Sequence, residues 1–171
     1  TDLPRLHGIL RSRQVDAIFH LAAQPIVGDA KADPFQTMES NVRGTWCVLE
    51  AARLWGGVRS VVIVTSDKVY SSSTRPPYKE DALLGGLLPY EASKVVADVI
   101  AECYMRTYQL PIGVARMGNL YGPGDLQWSR IVPGTIRSLL RGERPIIRSD
   151  GSPLRDYFYV EAAADALLAL G

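Results

Sequence analysis

Cysteine is scarce: the 171 residues hold two, Cys47 and Cys103, each inside an apolar, helix-like run. Two isolated cysteines make no disulfide framework and fit a reducing, cytoplasmic compartment. Histidine is as rare, and no pair among His7, His20, Cys47 and Cys103 has the spacing of metal ligands, so no metal is expected. No apolar run approaches the roughly 18 residues of a membrane span, and the start carries no signal-peptide pattern, so neither membrane nor export is expected. A surplus of one charge is missing too: 19 Lys+Arg face 18 Asp+Glu, a net +1. That balance gives no basic surface for nucleic acid and no acidic tail. Repeats and low-complexity segments are absent. What remains is ordinary globular composition, 47% hydrophobic and 22% charged, at the size of about one domain.

Apolar periodicity alternates between two kinds of segment. Leu3–Leu10 reads as a short helix and Ala17–Leu21 as a buried strand. Phe35–Leu54 reads as one long helix, with Val42, Thr45, Trp46, Leu49 and Ala52 at three-to-four spacing and Gly56-Gly57 as its stop. Val61–Thr65 is an unbroken β-branched run, the mark of a strand covered on both faces. A loop over Ser71–Pro89, a helix over Tyr90–Tyr108 and a strand over Ile112–Met117 follow. Gly118–Gly124 reads as a turn region, Ile131–Arg141 as a helix, Pro145–Arg148 as a strand and Val160–Leu170 as a last helix. Strands alternating with helices specify a parallel sheet with helices on both faces.

In such a sheet ligands bind beyond the carboxyl ends of the strands, so the residues there carry the chemistry. After the first strand come His20-Leu21-Ala22-Ala23-Gln24, small enough to let a flat cofactor reach the backbone, though tight helix–sheet packing would select the same residues. After the second come Thr65-Ser66-Asp67-Lys68, two hydroxyls, a carboxylate and an amine suited to proton transfer; a solvated turn is the plainer alternative. Tyr90 and Lys94, at i and i+4, share a helix face. A phenol titrates near 10, and an adjacent ammonium favours its phenolate, so Tyr90 is a candidate base toward a sugar hydroxyl. Arg130 and Arg155 are candidate phosphate clamps, although either one alone reads equally as a surface residue.

Together these residues resemble the extended short-chain dehydrogenase/reductases that modify nucleotide sugars. The match runs in order through His20–Gln24, Asn41-Val-Arg-Gly-Thr45 to Arg53, Thr65–Tyr70, Tyr90-x-x-x-Lys94, Arg116-Met-Gly-Asn119 with Tyr121-Gly-Pro-Gly124, and Gly151-x-x-x-Arg155-Asp156. The resemblance implies a doubly wound, Rossmann-like α/β fold. Residues 1–125 would belong to the NAD-binding domain and 126–171 to the start of the sugar-nucleotide part, mixed with the last sheet elements. Because Ser66-Asp67-Lys68 looks like the CDP-glucose 4,6-dehydratase subgroup, the implied activity is an NAD-dependent nucleotide-sugar 4,6-dehydratase. Ser66, Asp67, Lys68, Tyr90 and Lys94 would be catalytic. Leu21, Ala22, Ala23, Thr65, Tyr90 and Lys94 would hold NAD; Gln24, Asn119, Arg130 and Arg155 would hold the nucleotide-diphosphate hexose. A homodimer through the helices at 35–54 and 90–108 is also implied.

Three departures bear on the substrate rather than the fold: Ser71 where Gly is usual, Leu126-Gln127-Trp128 after Asp125, and Glu161-Ala162 where two acidic residues are common. An epimerase or a dehydratase of another sugar nucleotide is the nearest alternative, and a catalytically silent NAD-binding protein is an alternative of another class. The resemblance also places the Gly-rich phosphate loop before Thr1 and most of the sugar-nucleotide domain after Gly171. On that expectation the 171-residue chain alone is a fragment that binds NAD poorly and is inactive.

Overall fold

Three parallel strands organise the first part of the chain. The computed structural model describes residues 1–74 and 76–171; Arg75, inside the loop expected over Ser71–Pro89, lies outside them. Strands β1 (Ala17–His20), β2 (Ser60–Ser66) and β3 (Ile112–Met117) lie in the order β1-β2-β3. Phe19 pairs with Val62 and Val62 with Gly113, so one register crosses the sheet.

The helices begin where local chemistry sets them. In α1 (Leu3–Ser12) the Asp2 carboxylate caps Arg5 N at 3.0 Å. After the short α2 (Val27–Ala32), Asp33 caps Gln36 N at 2.9 Å to start α3 (Pro34–Met38). A π-helical segment, Glu39–Arg43, joins α3 to α4 (Gly44–Trp55), which stops at Gly56 in the left-handed conformation, φ 70°. Glu91 takes the Leu87 and Leu88 N–H groups at the head of α5 (Pro89–Tyr108), and Gln109, φ 54°, ends it.

The sheet is packed on one side and met by the chain end on the other, and β1, expected as a buried strand, leaves Ala17 and Phe19 exposed because it is an edge strand of the three. On one side Val61 and Ile63 meet Leu49 and Ala52 of α4 and Ala101 and Tyr104 of α5. A fully buried Val or Ile contributes about 2 kcal/mol there. On the other side lie Phe19, Val62 and Gly113. A Cβ on Gly113 would come within 2.7 Å of Leu170 Cγ, and one on Gly171 within 2.7 Å of Phe19 Cζ, so the chain end packs tightly against this face.

Residues 1–117 with 169–171 form one compact unit and residues 118–168 another. In the second, β4 (Asn119–Tyr121) pairs in parallel with β5 (Tyr157–Tyr159), and the same stretch carries α6 (Ile131–Leu140) and all but the last residues of α7 (Val160–Leu170). Three element expectations change. Phe35–Leu54 is not one continuous α-helix, because the π segment interrupts it. The turn region Gly118–Gly124 contains β4, stabilised by pairing with a strand far along the chain. Pro145–Arg148 is irregular rather than a strand, with Ile146 84% and Ile147 60% exposed, so no neighbouring strand rewards its apolar side chains.

Candidate functional site

The carboxyl ends of β1 and β2 and the first turns of α5 converge in the first unit. Ser66 closes β2, and Asp67–Val69 follow as a single 3₁₀ turn capped by the Ser66 side chain, which accepts from Lys68 N at 3.2 Å. The Ser66 hydroxyl donates to Asp67 Oδ1 at 3.1 Å, and Lys68 Nζ lies 3.4 Å from Asp67 Oδ2. Hydroxyl, carboxylate and ammonium thus form one connected set.

Lys94 sits on the buried stripe of α5, 6% exposed, and donates from Nζ to Val64 O at 3.1 Å. Burial lowers its pKa to about 8, because the charged form is the one that loses water. His20, at the end of β1, is lowered to about 4, first by burial and then by the positive charge of Lys94. Thr45 gives its single hydroxyl proton to Asn41 O at 2.7 Å, so its oxygen accepts from His20 Nε2 at 3.1 Å. That assigns the imidazole proton to Nε2.

Asn41, in the middle of the π segment and 1% exposed, ties two pieces of the site together. Its Oδ1 accepts from Gln24 N at 2.7 Å, and its Nδ2 donates to Gln24 O at 3.1 Å and Ser93 Oγ at 2.9 Å. Ser93 in turn donates to Tyr90 O at 2.7 Å. The strand-end loop and the backbone of the Tyr90 turn are therefore held by one amide. Beneath them, Asp98 of α5 accepts from Thr65 Oγ1 at 3.2 Å and from Arg116 Nε and Nη2, each at 2.9 Å.

NAD fits this end of the sheet. Leu21 and Ala22 are exposed beyond β1. Lys94 carries three donors, one of which is spent on Val64 O. Gln24 Oε1 is buried without a partner while its Nε2 donates to Ile26 O at 3.1 Å, leaving an acceptor for an incoming donor.

Among the expected substrate residues, Gln24 lies in this unit, and Asn119, Arg130 and Arg155 lie in the second. There Arg130 lines a cavity of about 350 Å³ with Trp128, Thr135, Ile146, Ile147 and Arg148, and reaches Asp125 Oδ2 at 3.3 Å. Asn119 N donates to Asp156 O at 2.9 Å in the β4–β5 pairing. Arg155 is exposed and donates to Leu154 O at 2.7 Å, outside the cavity lining. Sequence reasoning passed over His20 and Asn41 as individual site residues and missed Asp98. The available signal for Asp98 was a carboxylate one turn beyond Lys94 on a helix face otherwise made for burial.

No helix among the described residues is long and apolar enough to cross a membrane. A protein-family profile described as NAD dependent epimerase/dehydratase family matches residues 1–171. The chain is 36% identical over 169 residues to the UDP-glucose 4-epimerase of Mycolicibacterium smegmatis, covering 97% of this chain and 54% of that one. It is 32% identical over 158 residues to the CDP-glucose 4,6-dehydratase of Salmonella typhimurium, covering 86% and 44%. A solved structure of the dTDP-glucose 4,6-dehydratase of Streptomyces venezuelae, with NAD and TYD bound, matches with a TM-score of 0.86 at 34% identity, over 99% of this chain and 52% of that one. Curated relatives are matched over 24% to 54% of their own length.

Proposed function

The chain belongs to the NAD-dependent epimerase/dehydratase family, and from that premise we propose that it carries the proton-transfer residues of a nucleotide-sugar 4,6-dehydratase, with CDP-glucose the favoured substrate. The observation that carries this reading is the connected Ser66–Asp67–Lys68 set at the end of β2. Epimerisation at C4 needs a base for one hydroxyl; elimination needs an acid and a base besides, and this turn supplies both.

The cofactor would be held by Leu21, Ala22, Ala23, Thr65, Tyr90 and Lys94. When bound, NAD supplies a hydride acceptor at C4 and, later, a hydride donor at C6. Tyr90 takes the proton of the 4-hydroxyl, with Lys94 favouring the phenolate and Ser66 holding the oxygen. The 4-ketone acidifies C5–H. Lys68 accepts that proton and Asp67 gives one to the departing 6-hydroxyl. Lysine accepts a proton only as the free amine, so this step requires Lys68 neutral and Asp67 protonated when the substrate is bound. The balance closes: of the protons taken from O4 and C5, one leaves in water and one returns to C5.

Gln24, Asn119, Arg130 and Arg155 are assigned to the nucleotide-diphosphate hexose, with residues 1–125 serving the cofactor and 126–171 opening the sugar-nucleotide part. The cavity supports the assignment of Arg130, since it pairs a second guanidinium, Arg148, with apolar Ile146 and Ile147. A homodimer through the helical segments 35–54 and 90–108 completes the reading.

The second reading is a nucleotide-sugar 4-epimerase, favoured by the 36% identity to an epimerase. The test uses the protein at the full length its reading frame encodes, incubated with NAD and CDP-, UDP- or dTDP-glucose, followed by mass spectrometry. Loss of one water from a sugar nucleotide is expected, reduced about 10²–10⁴-fold by Tyr90→Phe. Unchanged mass with an inverted C4 in the NMR spectrum would replace the dehydratase by the epimerase. Unchanged mass and configuration would overturn both and leave a silent NAD-binding protein.

A further inference from the structure

We infer that the buried Asp98–Arg116 pair is a positioning device that brackets the turn carrying Asp67 and Lys68 and anchors the chain beyond it at Tyr70 and Glu80, within the described residues of 70–84. The pair touches the chain on both sides of that turn. Upstream, Asp98 Oδ2 accepts from Thr65 Oγ1 at 3.2 Å, immediately before Ser66. Downstream, Arg116 Nη1 donates to Glu80 O at 2.6 Å and approaches the Tyr70 hydroxyl at 3.5 Å. The guanidinium also lies over the Tyr70 ring, 5.4 Å from its centroid, and Tyr70 stacks on Tyr78 at 4.7 Å. The segment closes on itself through Ser71 N to Leu83 O at 2.8 Å and Gly85 N to Val69 O at 2.9 Å. Four residues, 66–69, therefore run between two points fixed to one ion pair, and Asp98 itself sits one turn beyond Lys94 on α5.

Stability alone does not explain this arrangement. Asp98 is 2% exposed, and an apolar pair of similar volume would serve a core as well, since desolvation consumes most of the Coulombic gain of a buried ion pair. What an apolar pair lacks is direction. The two-point fork to Asp98 fixes the guanidinium plane, and that plane aims the remaining donor at the Glu80 carbonyl. The Tyr90 turn and Lys94 have bonds of their own besides, through Asn41–Ser93 and to Val64 O. Loosening Arg116 frees the downstream end of the turn, so it should disturb Asp67 and Lys68 more than Tyr90, Lys94 and Ser66, the last of which stays beside Thr65, bonded to Asp98. This division of effects rests on the dehydratase reading; the anchoring of 70–84 does not.

The test compares wild type with Arg116→Lys, which keeps the charge against Asp98 and loses the fork. Hydrogen exchange of 70–84 is expected to speed up about tenfold, with β2 and α5 protected as in wild type. In a single turnover with NAD and sugar nucleotide, C4 oxidation should persist while water loss slows, so the near-ultraviolet absorbance of reduced nicotinamide builds up above its wild-type level. KM for the sugar nucleotide should stay close to wild type as kcat falls. Unchanged protection of 70–84, or equal loosening of 70–84, β2 and α5, would overturn the anchor. Equal slowing of oxidation and water loss would reduce the pair to a structural role. Should Arg116→Lys fail to fold, Tyr70→Leu leaves the ion pair intact, removes a side chain it holds, and must give the same exchange pattern. Absence of water loss in wild type would sink the dehydratase reading alone, since the exchange measurement decides the anchor without it.

Discussion

Lys94 and His20 are pressed into one corner at the strand ends, and each titrates below its ordinary range there. Lys94, at about 8, keeps its ammonium at neutral pH and loses it as pH rises through that value. Its support for the Tyr90 phenolate goes with the charge, so turnover in the proposed reaction should fall above about pH 8, read from a kcat profile between pH 6 and 10. A plateau holding to pH 10 would remove Lys94 from that role. His20 bears on stability. The unfolded imidazole takes a proton as pH falls through 6.5, the folded one only near 4, so the contribution is present above 6.5 and lost between 6.5 and 4. The linkage amounts to about 3 kcal/mol. Urea unfolding at pH 7 and pH 4 should show His20→Gln losing about that much less than wild type over this interval, and equal losses would contradict the shift. Tyr90-x-x-x-Lys94 and Thr65–Lys68 stand out in the sequence because reactive residue types recur there at a helical spacing and at a strand end. Asp98 does not, because its role depends on Arg116 arriving from β3, a contact that spacing along the chain does not encode.

Among the elements, β2 announces itself: an unbroken β-branched run has no better place than the middle of a covered sheet. The helix at 35–54 misleads for a physical reason. Its three-to-four periodicity holds on either side of the π segment, but the wider turn at Glu39–Arg43 shifts the phase between the two halves. Apolar spacing carries no mark of that shift, which serves Asn41. With the wider turn, Asn41 faces Gln24 and Ser93 and meets three of their polar groups. The strands β4 and β5 were illegible in a similar way, since each is three residues long and stabilised by the other. The Asn41 contacts give a prediction. Asn41→Ala leaves part-buried Gln24 N and Gln24 O without that partner and takes one of its bonds from Ser93 Oγ, which should cost about 2–4 kcal/mol in urea unfolding. A loss under about 0.5 kcal/mol, the range of an ordinary surface substitution, would mean that water replaces the amide and that the π turn has another cause.

At the scale of the whole molecule, the outward sides of α4 and α5 are more apolar than two solvated helices need. Trp46 is 54% exposed, Val99 52% and Val96 39%, with Val96 and Val99 three residues apart on one face of α5. The polar edge of Trp46 is already spent, since its Nε1 donates to Tyr104 OH at 2.8 Å, and Tyr104 passes its own proton to Glu50 at 2.9 Å. What Trp46 turns outward is therefore ring carbon, which water solvates poorly and another apolar face would cover at about 25 cal/mol per Å². A second copy of the same two helices offers such a face, since a two-fold axis sets one patch against its own copy, residue i meeting j and j meeting i. Sedimentation equilibrium should then give twice the monomer mass, and Val99→Glu, by placing a carboxylate in the patch of each copy, should return the monomer mass with an unchanged far-ultraviolet circular dichroism spectrum. If Val99→Glu sediments as wild type does, α5 is not the contact, and the exposed ring of Trp46 belongs to some other surface.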